Sequence, residues 1–307
     1  MEKAVSGSVF NDTAVCIGNF DGVHRAHREL IERTVSQSDG LKSLVYTFLP
    51  HPAEVFGNRL LKITTEDEKD ALIEKSGADI LYKEHCDRLF LAKSPEEYAK
   101  EVLKEQLGAK KVFVGYDFTF GKSSSGSAGD LKLLGEKYGF SVTVLPRFNA
   151  ESGEVVKSSA VREYIARGDF DSANEMLGRA HSYSGIVMQC KMLGRRIGWP
   201  TANIYPENFL VLPPFGVYAT IAKIGDRCYP SVSNVGINPT VEEGNIPKIE
   251  TNIMGFDENI YGRRIKIEFY GMIRKEKKFE NLASLKNQIE SDKETAKKII
   301  DKKLNIW

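Results

Sequence analysis

Two histidines three residues apart, His24 and His27, follow Gly18 and Gly22 in GNFDGVHRAH and open a segment whose Leu30, Ile31 and Val35 recur at helical spacing. At a helix start both imidazoles fall on one face, beside the first-turn backbone N–H groups that lack intrahelical acceptors. Phosphate is attracted to that position. Imidazoles there can donate hydrogen bonds to charge that develops on an α-phosphate and a pyrophosphate leaving group. The plainer alternative is that the two histidines cap the helix or face solvent. Two further stretches suit phosphate: PHP at 50–52, and KSSAVR at 157–162, where hydroxyls and an arginine begin another helix. In the second half, PTAN at 200–203 reads as an irregular loop with Thr201 and Asn203 two apart. A hydroxyl and an amide so spaced suit Mg²⁺ with a nucleotide. A turn closed by Pro200, with Asn203 bonded to its own backbone, is the plain alternative.

The elements that must position these residues change character along the chain. Apolar runs at Ala14–Ile17, Leu44–Phe48, Ile80–Tyr82, Lys111–Val114 and Phe140–Leu145 read as strands. Helical patterns near Glu66–Ser76 and Pro95–Leu107 alternate with them. That alternation predicts a parallel sheet, whose ligands bind outside the carboxyl ends of the strands, where GNFDGVHRAH, TFLPHP and VGYDFTFGK all fall. KSSSGSAGD at 122–130 reads as a mobile polar loop. After about Gly178, strands are expected at Ser184–Gln189, Val217–Ile224, Ser231–Val235, Ile249–Met254 and Ile265–Phe269 without crossover helices, a small antiparallel barrel or sandwich. Leu282 to Leu304 is amphipathic and is expected to pack on that barrel.

Bulk properties narrow the function classes. A chain of 307 residues suggests two domains, here 1–180 and 181–307. Forty-three basic against 42 acidic residues leave a net charge of +1, which argues against nucleic acid as the main partner. Cys16, Cys86, Cys190 and Cys228 form no CxxC pair, so reduced thiols and a cytoplasmic location are expected. No apolar run approaches the roughly 20 residues of a spanning helix, so no membrane association is expected. No obligate protein partner is evident.

The motifs, taken in order, resemble the prokaryotic bifunctional riboflavin kinase/FAD synthetase family. GNFDGVHRAH, SPEEYAKEVLKEQLGAKKVFVGYDFTFG and KSSAVR are similar to its FMN adenylyltransferase half, a branch of the HxGH nucleotidyltransferases. SYSGIV, PTAN, PPFGVYA, SNVGINPTV and IETNIMGFDENIYGRRIKIEF are similar to its riboflavin kinase half. The resemblance implies an α/β Rossmann-like nucleotidyltransferase domain followed by a small antiparallel β-barrel kinase domain with a C-terminal helix. It implies phosphorylation of riboflavin to FMN and adenylylation of FMN to FAD, with ATP as co-substrate and Mg²⁺ as cofactor. Carried onto this sequence, His24 and His27 are catalytic, and Gly18, Asn19, Phe20, Ser158, Ser159 and Arg162 bind ATP or its phosphates. Asp117 and Phe118 lie on the flavin side, Thr201 and Asn203 position Mg²⁺, and Glu250 is the general base for the riboflavin 5′-hydroxyl. Lys191, Gly194 and Gly198 are candidates for a phosphate-covering flap, and Trp199, Phe215 and Tyr218 for stacking on the isoalloxazine.

Three departures from the family pattern stand out: Ala26 where HxGH has glycine, Ala160 where a serine or threonine is frequent, and Asn252 where a histidine often follows the glutamate. Ala26 and Ala160 raise one rival, a riboflavin kinase whose adenylyltransferase half is impaired; a second is a noncatalytic flavin-binding regulator that reuses the fold.

Overall fold

The computed structural model describes residues 1–189, 199–237 and 246–304. By internal contacts the chain divides into two compact units, Met1–Ser158 and Ser159–Trp307.

The first unit is built on β2 (Thr13–Ile17), all five of whose residues are buried, as expected for a central strand covered on both faces. Around it stand β1 (Glu2–Val5), β3 (Lys42–Leu49), β4 (Ile80–His85), β5 (Ala109–Gly115) and β8 (Ser141–Leu145), in the order β1-β4-β3-β2-β5-β8. Every pairing is parallel. The chain steps outward from β2 through β3 to β4, then returns to the other side of β2 with β5 and β8. The direction of winding therefore reverses between β2 and β5, which opens a crevice at their carboxyl ends. Strand β1 was not expected from the sequence. Only Ala4 of its four residues is buried, so EKAV carries no apolar run, and it is held by pairing with β4 and by Lys3 Nζ against Asp70 at 2.9 Å.

The segment Pro95–Leu107 is helical as expected, but in two parts. Ser94 and Glu97 form a reciprocal cap on the short turn Pro95–Glu97. The chain then widens into π-type turns over Tyr98–Gln106, with the Leu107 N–H donating to the Val102 carbonyl five residues back at 2.9 Å. Residues 122–130, expected as a mobile loop, are instead organised. The ribbon of β6 (Thr119–Phe120) and β7 (Gly126–Ser127) encloses a tight turn, and Ser127 and Asp130 cap the helix Ala128–Tyr138. Gly121 adopts φ 72°, and a Cβ there would come within 2.8 Å of the Pro95 nitrogen, so only glycine lets the ribbon approach.

The second unit holds β9 (His181–Ile186), β10 (Ala202–Ile204), β11 (Gly216–Ile224), β12 (Arg227–Ile237), β13 (Pro247–Ile253) and β14 (Arg264–Lys275). Their order is β10-β13-β12-β11-β14-β9, all antiparallel. The sheet curls until its two edges meet at a bridge between Met188 and Asn203. Strand β10 corrects the sequence reading: Asn203 lies in a short strand, not an irregular loop, because three consecutive residues pair with β13. Helix Leu282–Leu304 buries Ala296 and Ile300 against Ala219, Ile221 and Tyr270. Asn174, on the helix Phe170–Leu177, bonds the Phe269 carbonyl at 2.9 Å and accepts from the His181 N–H at 2.7 Å. Those bonds account for that helix grouping with the barrel.

Candidate functional sites

In the first unit the loop 18–24 leaves β2 at Gly18 and turns sharply into helix α1 (Arg25–Ser36). Phe20 and Val23 take φ of 53° and 38° without being glycines. Such conformations cost of order 1–3 kcal/mol each and persist only where surroundings impose them. The surroundings are visible. Asp21, 6% exposed, accepts from the Ile63 N–H at 2.9 Å, Ser158 Oγ donates to the Asp21 carbonyl at 2.9 Å, and Thr47 Oγ1 donates to the Asn19 carbonyl at 3.2 Å.

This loop delivers His24 as the N-cap of α1, its Nδ1 accepting from the His27 N–H at 3.2 Å. The capping alternative is therefore realised, and it is compatible with the chemical one. An Nδ1 that accepts leaves Nε2 as the protonated, donating nitrogen. The two imidazoles stack with centroids 3.5 Å apart and 14° between planes, and Phe20 packs edge-on against His27. Two rings thus stand together at the positive end of a helix dipole. His51 of PHP is engaged differently: its Nδ1 accepts from the Ala53 N–H at 3.1 Å, and Glu54 returns the bond to the His51 N–H.

Gly18 and Asn19 also line a cavity of about 350 Å³ with Asp117 and Phe118. Four candidate residues, from 18 to 118, thereby meet at one edge of the sheet. Phe48, Phe90 and Tyr98 complete the wall and were not identified from sequence. Aromatic residues are so often core that type alone does not mark them; their place after strands or inside the π-type helix was the available signal. Ser159 is exposed and Arg162 half-buried on the helix Ser158–Arg167, while Ala160 is only 4% exposed. The methyl of Ala160 thus serves packing. Both Ser159 and Arg162 fall in the second unit by contacts.

In the second unit, cross-strand register assembles the site. Asn203 on β10, Glu250 on β13 and Asn234 on β12 stand in one row. Glu250 lines a cleft of about 570 Å³ with Thr201, Trp199, Asn234, Arg274 and Phe279. Asn252, at the position where histidine was expected, donates to the Pro200 carbonyl at 3.0 Å and so ties β13 to the PTAN segment. Arg274 is fixed by Asp292 through bonds of 3.1 and 2.8 Å, and Asp292 is 2% exposed. Trp199 donates to Glu290 at 3.2 Å and carries Lys286 and Lys293 over its ring. A second cavity, of about 320 Å³, is walled by Val187, Phe256, Ile260 and Tyr261, and Thr201 lines it too.

The oxygens of Thr201 and Asn203 suit a hard cation. Asn203 is 5% exposed, and its Oδ1 has no hydrogen-bond partner among the described residues. Its Nδ2 leans toward Thr201 Oγ1 at 3.5 Å. A buried amide oxygen beside a hydroxyl fits Mg²⁺ that takes its remaining ligands from phosphates and water. Among the described residues no three His, Cys, Asp or Glu side chains gather as a metal cage.

Of the stacking candidates, Tyr218 is excluded. It is fully buried against Phe170 and Phe269, and its hydroxyl donates to the Pro214 carbonyl. Phe215 is 41% exposed and lies outside the lining of the cleft, whereas Trp199 lines it. Lys191, Gly194 and Gly198 lie outside the described residues.

A doubly wound sheet with a phosphate-suited helix start, joined to a curled antiparallel sheet whose carboxylate faces a cleft, defines a two-unit enzyme of the nucleotide-using transferase class. Comparison with known families agrees in both halves: residues 7–160 match the FAD synthetase family and residues 177–300 the riboflavin kinase family. The chain belongs to the bifunctional riboflavin kinase/FMN adenylyltransferase family. The bifunctional riboflavin kinase/FMN adenylyltransferase of Bacillus subtilis (strain 168) is 34% identical over 292 residues, covering 92% of this chain and 91% of the relative. The protein of the same name from Escherichia coli (strain K12) is 35% identical over 286 residues, covering 92% and 90%. Among solved structures, one described as a macrolide-efflux protein from Streptococcus pneumoniae superposes with a TM-score of 0.88 at 27% identity, covering 97% of this chain and 99% of that one. Among the described residues here, no helix is long and apolar enough to cross a membrane.

Proposed function

We propose that the chain makes FMN and FAD in two ATP-dependent steps, with riboflavin phosphorylated in the half 181–307 and FMN adenylylated in the half 1–180. The observation that carries the reading is Thr201, which lines two cavities of the second unit at once, one of them also lined by Glu250. Phosphoryl transfer needs a nucleotide and an acceptor alcohol to meet at one wall. In this reading the adenine of ATP occupies the smaller cavity with Phe256 and Tyr261, and the flavin occupies the larger cleft beside Trp199 and Phe279.

Glu250 takes the proton of the 5′-hydroxyl as that oxygen bonds to the γ-phosphorus. The bond from the γ-phosphorus to the β-bridging oxygen breaks, and ADP leaves with that electron pair. Thr201 and Asn203 would hold Mg²⁺, which when bound screens the phosphate charge.

In the first unit a phosphate oxygen of FMN bonds to the α-phosphorus of ATP as the bond to the β-phosphate breaks and pyrophosphate departs. His24 and His27 donate hydrogen bonds to the charge that accumulates, the N-terminus of α1 adds its dipole, and Gly18, Asn19 and Phe20 let the phosphates approach. Phe118 and Asp117 contact the flavin in the aromatic cavity. Ser158, Ser159 and Arg162 bind ATP phosphates, Arg162 as a bidentate partner. The enzyme acts in the cytoplasm with no obligate protein partner.

The test is a time course of purified protein with riboflavin, ATP and Mg²⁺, separating the flavins by chromatography. FMN appearing before FAD is the expected result. FMN alone would mean an inactive first unit, and Ala26→Gly would then test whether that substitution is the cause. Neither product would leave a noncatalytic flavin binder.

A further inference from the structure

We propose that Lys248 is a positioning residue for Glu250 and balances charge as the phosphoryl group moves; this rests on the reading of the larger cleft as the phosphoryl-transfer site. Side chains alternate along β13, so Lys248, Glu250 and Asn252 share one face of the strand. Lys248 Nζ bonds Glu250 Oε1 along that face. The lysine is only 9% exposed, and the glutamate side chain, at 32%, keeps its opening to the cleft. A lysine so deeply buried is rare unless it is paired, because an ammonium loses its hydration on burial. The position across from it on β12 is Gly236. Glu276 Oε1 lies in the space that a side chain at Gly236 would fill. Among the described residues, Arg274, Lys277, Lys278 and Asp292 are the other charged groups around the cleft.

Two consequences follow for the reaction. An oxygen pinned at Oε1 fixes the carboxylate plane, which leaves Oε2 to meet the alcohol proton in a set direction. The pair is also neutral overall before transfer and cationic after it. When the 5′-oxygen bonds to the γ-phosphorus, its proton passes to Glu250, and ADP leaves with the electrons of the broken P–O bond. The charge of the Lys248 ammonium is then no longer balanced by Glu250, at the moment when charge spreads over the transferred phosphoryl oxygens. A fixed cation in a partly desolvated site is favourable then and nearly silent in the ground state, which is the condition for raising kcat without changing KM.

The experiment uses the full chain carrying Lys248→Met or Lys248→Arg. Initial rates of FMN formation are measured against riboflavin at saturating ATP and Mg²⁺, with riboflavin binding followed by flavin fluorescence. Lys248→Met is expected to lower kcat by about 10- to 100-fold with riboflavin KM within about twofold, and Lys248→Arg to restore it to within about threefold of the parent. FAD formation from supplied FMN stays at the parent rate in both. A Lys248→Met protein with the parent kcat overturns the proposal, as does one whose loss of rate is matched by loss of riboflavin binding or is not rescued by arginine. If Glu250→Gln is inactive while Lys248→Met turns over normally, the site reading stands and the lysine's role falls. If the parent itself makes no FMN, both fall.

Discussion

The two units build their sites by opposite means. In the first, the chemistry is local: Gly18, Asn19, Phe20, His24 and His27 span ten residues and are gathered by one strand, one strained loop and one helix start. In the second, Asn203, Asn234 and Glu250 come from three strands and stand in one row only because β10, β13 and β12 pair in register, and Arg274 reaches the same cleft from β14. A local site depends on its loop and cap. A register site depends on the whole sheet, since a slip of one residue would turn Glu250 to the opposite face. Damage to the fold should therefore reach the two activities unequally.

The sharpest way to break that contrast is a crossed pair of variants. Glu250→Gln should lower FMN formation by at least about 100-fold and leave FAD formation from supplied FMN unchanged. His24→Ala should do the reverse, with about a 100-fold loss in FAD formation. Both activities falling together in either variant would mean that the sites are not separate, and chromatography of the flavin products reads this directly.

A smaller effect is expected from Asn174→Ala. The side chain joins a helix to the Phe269 carbonyl and the His181 N–H, both within the second unit. Leaving those buried groups unmet should cost roughly 2–3 kcal/mol in urea unfolding of the full chain, with FMN formation lost at a lower urea concentration than in the parent.

The smallest effect per step is one of pH. Burial pushes His181 down from 6.5 to about 3, aided by Arg179 and Lys266, so the folded protein holds this ring neutral. Between those values the unfolded chain binds one more proton than the folded chain does. The stability it contributes is complete above pH 6.5 and is lost as the pH falls toward 3, at about 1.4 kcal/mol per pH unit. Urea midpoints measured from pH 7 to 4 should fall less steeply for His181→Asn than for the parent. Parallel slopes would show that the ring is hydrated.

Much of the first unit was legible because its signals are local in sequence. Apolar runs marked β2 to β5 and β8, and the spacing of Leu30, Ile31 and Val35 marked α1. Strand β1 escaped because an edge strand stabilised by pairing and a lysine–aspartate contact needs no apolar pattern. The 122–130 segment was misread for a related reason. Small polar residues resemble a mobile loop until the ribbon β6–β7 and the Pro95 contact define them. Strand β10 was missed because three residues in a Pro-rich setting become a strand only when β13 supplies the partner.

By itself the sequence determined which chemical groups exist and how the nearest of them are spaced: two histidines at a helix start, a hydroxyl and an amide two residues apart, a carboxylate inside an apolar strand. Spacing over one turn or one strand is governed by fixed backbone periods, so it survives without a fold. Only the tertiary structure decided that Phe48, Phe90 and Tyr98 wall one cavity, that Tyr218 is core, that Thr201 borders two cavities and that Lys248 holds Glu250. Those outcomes depend on sheet curvature, strand register and burial, which arise from contacts between residues far apart in the chain, and no local pattern encodes them.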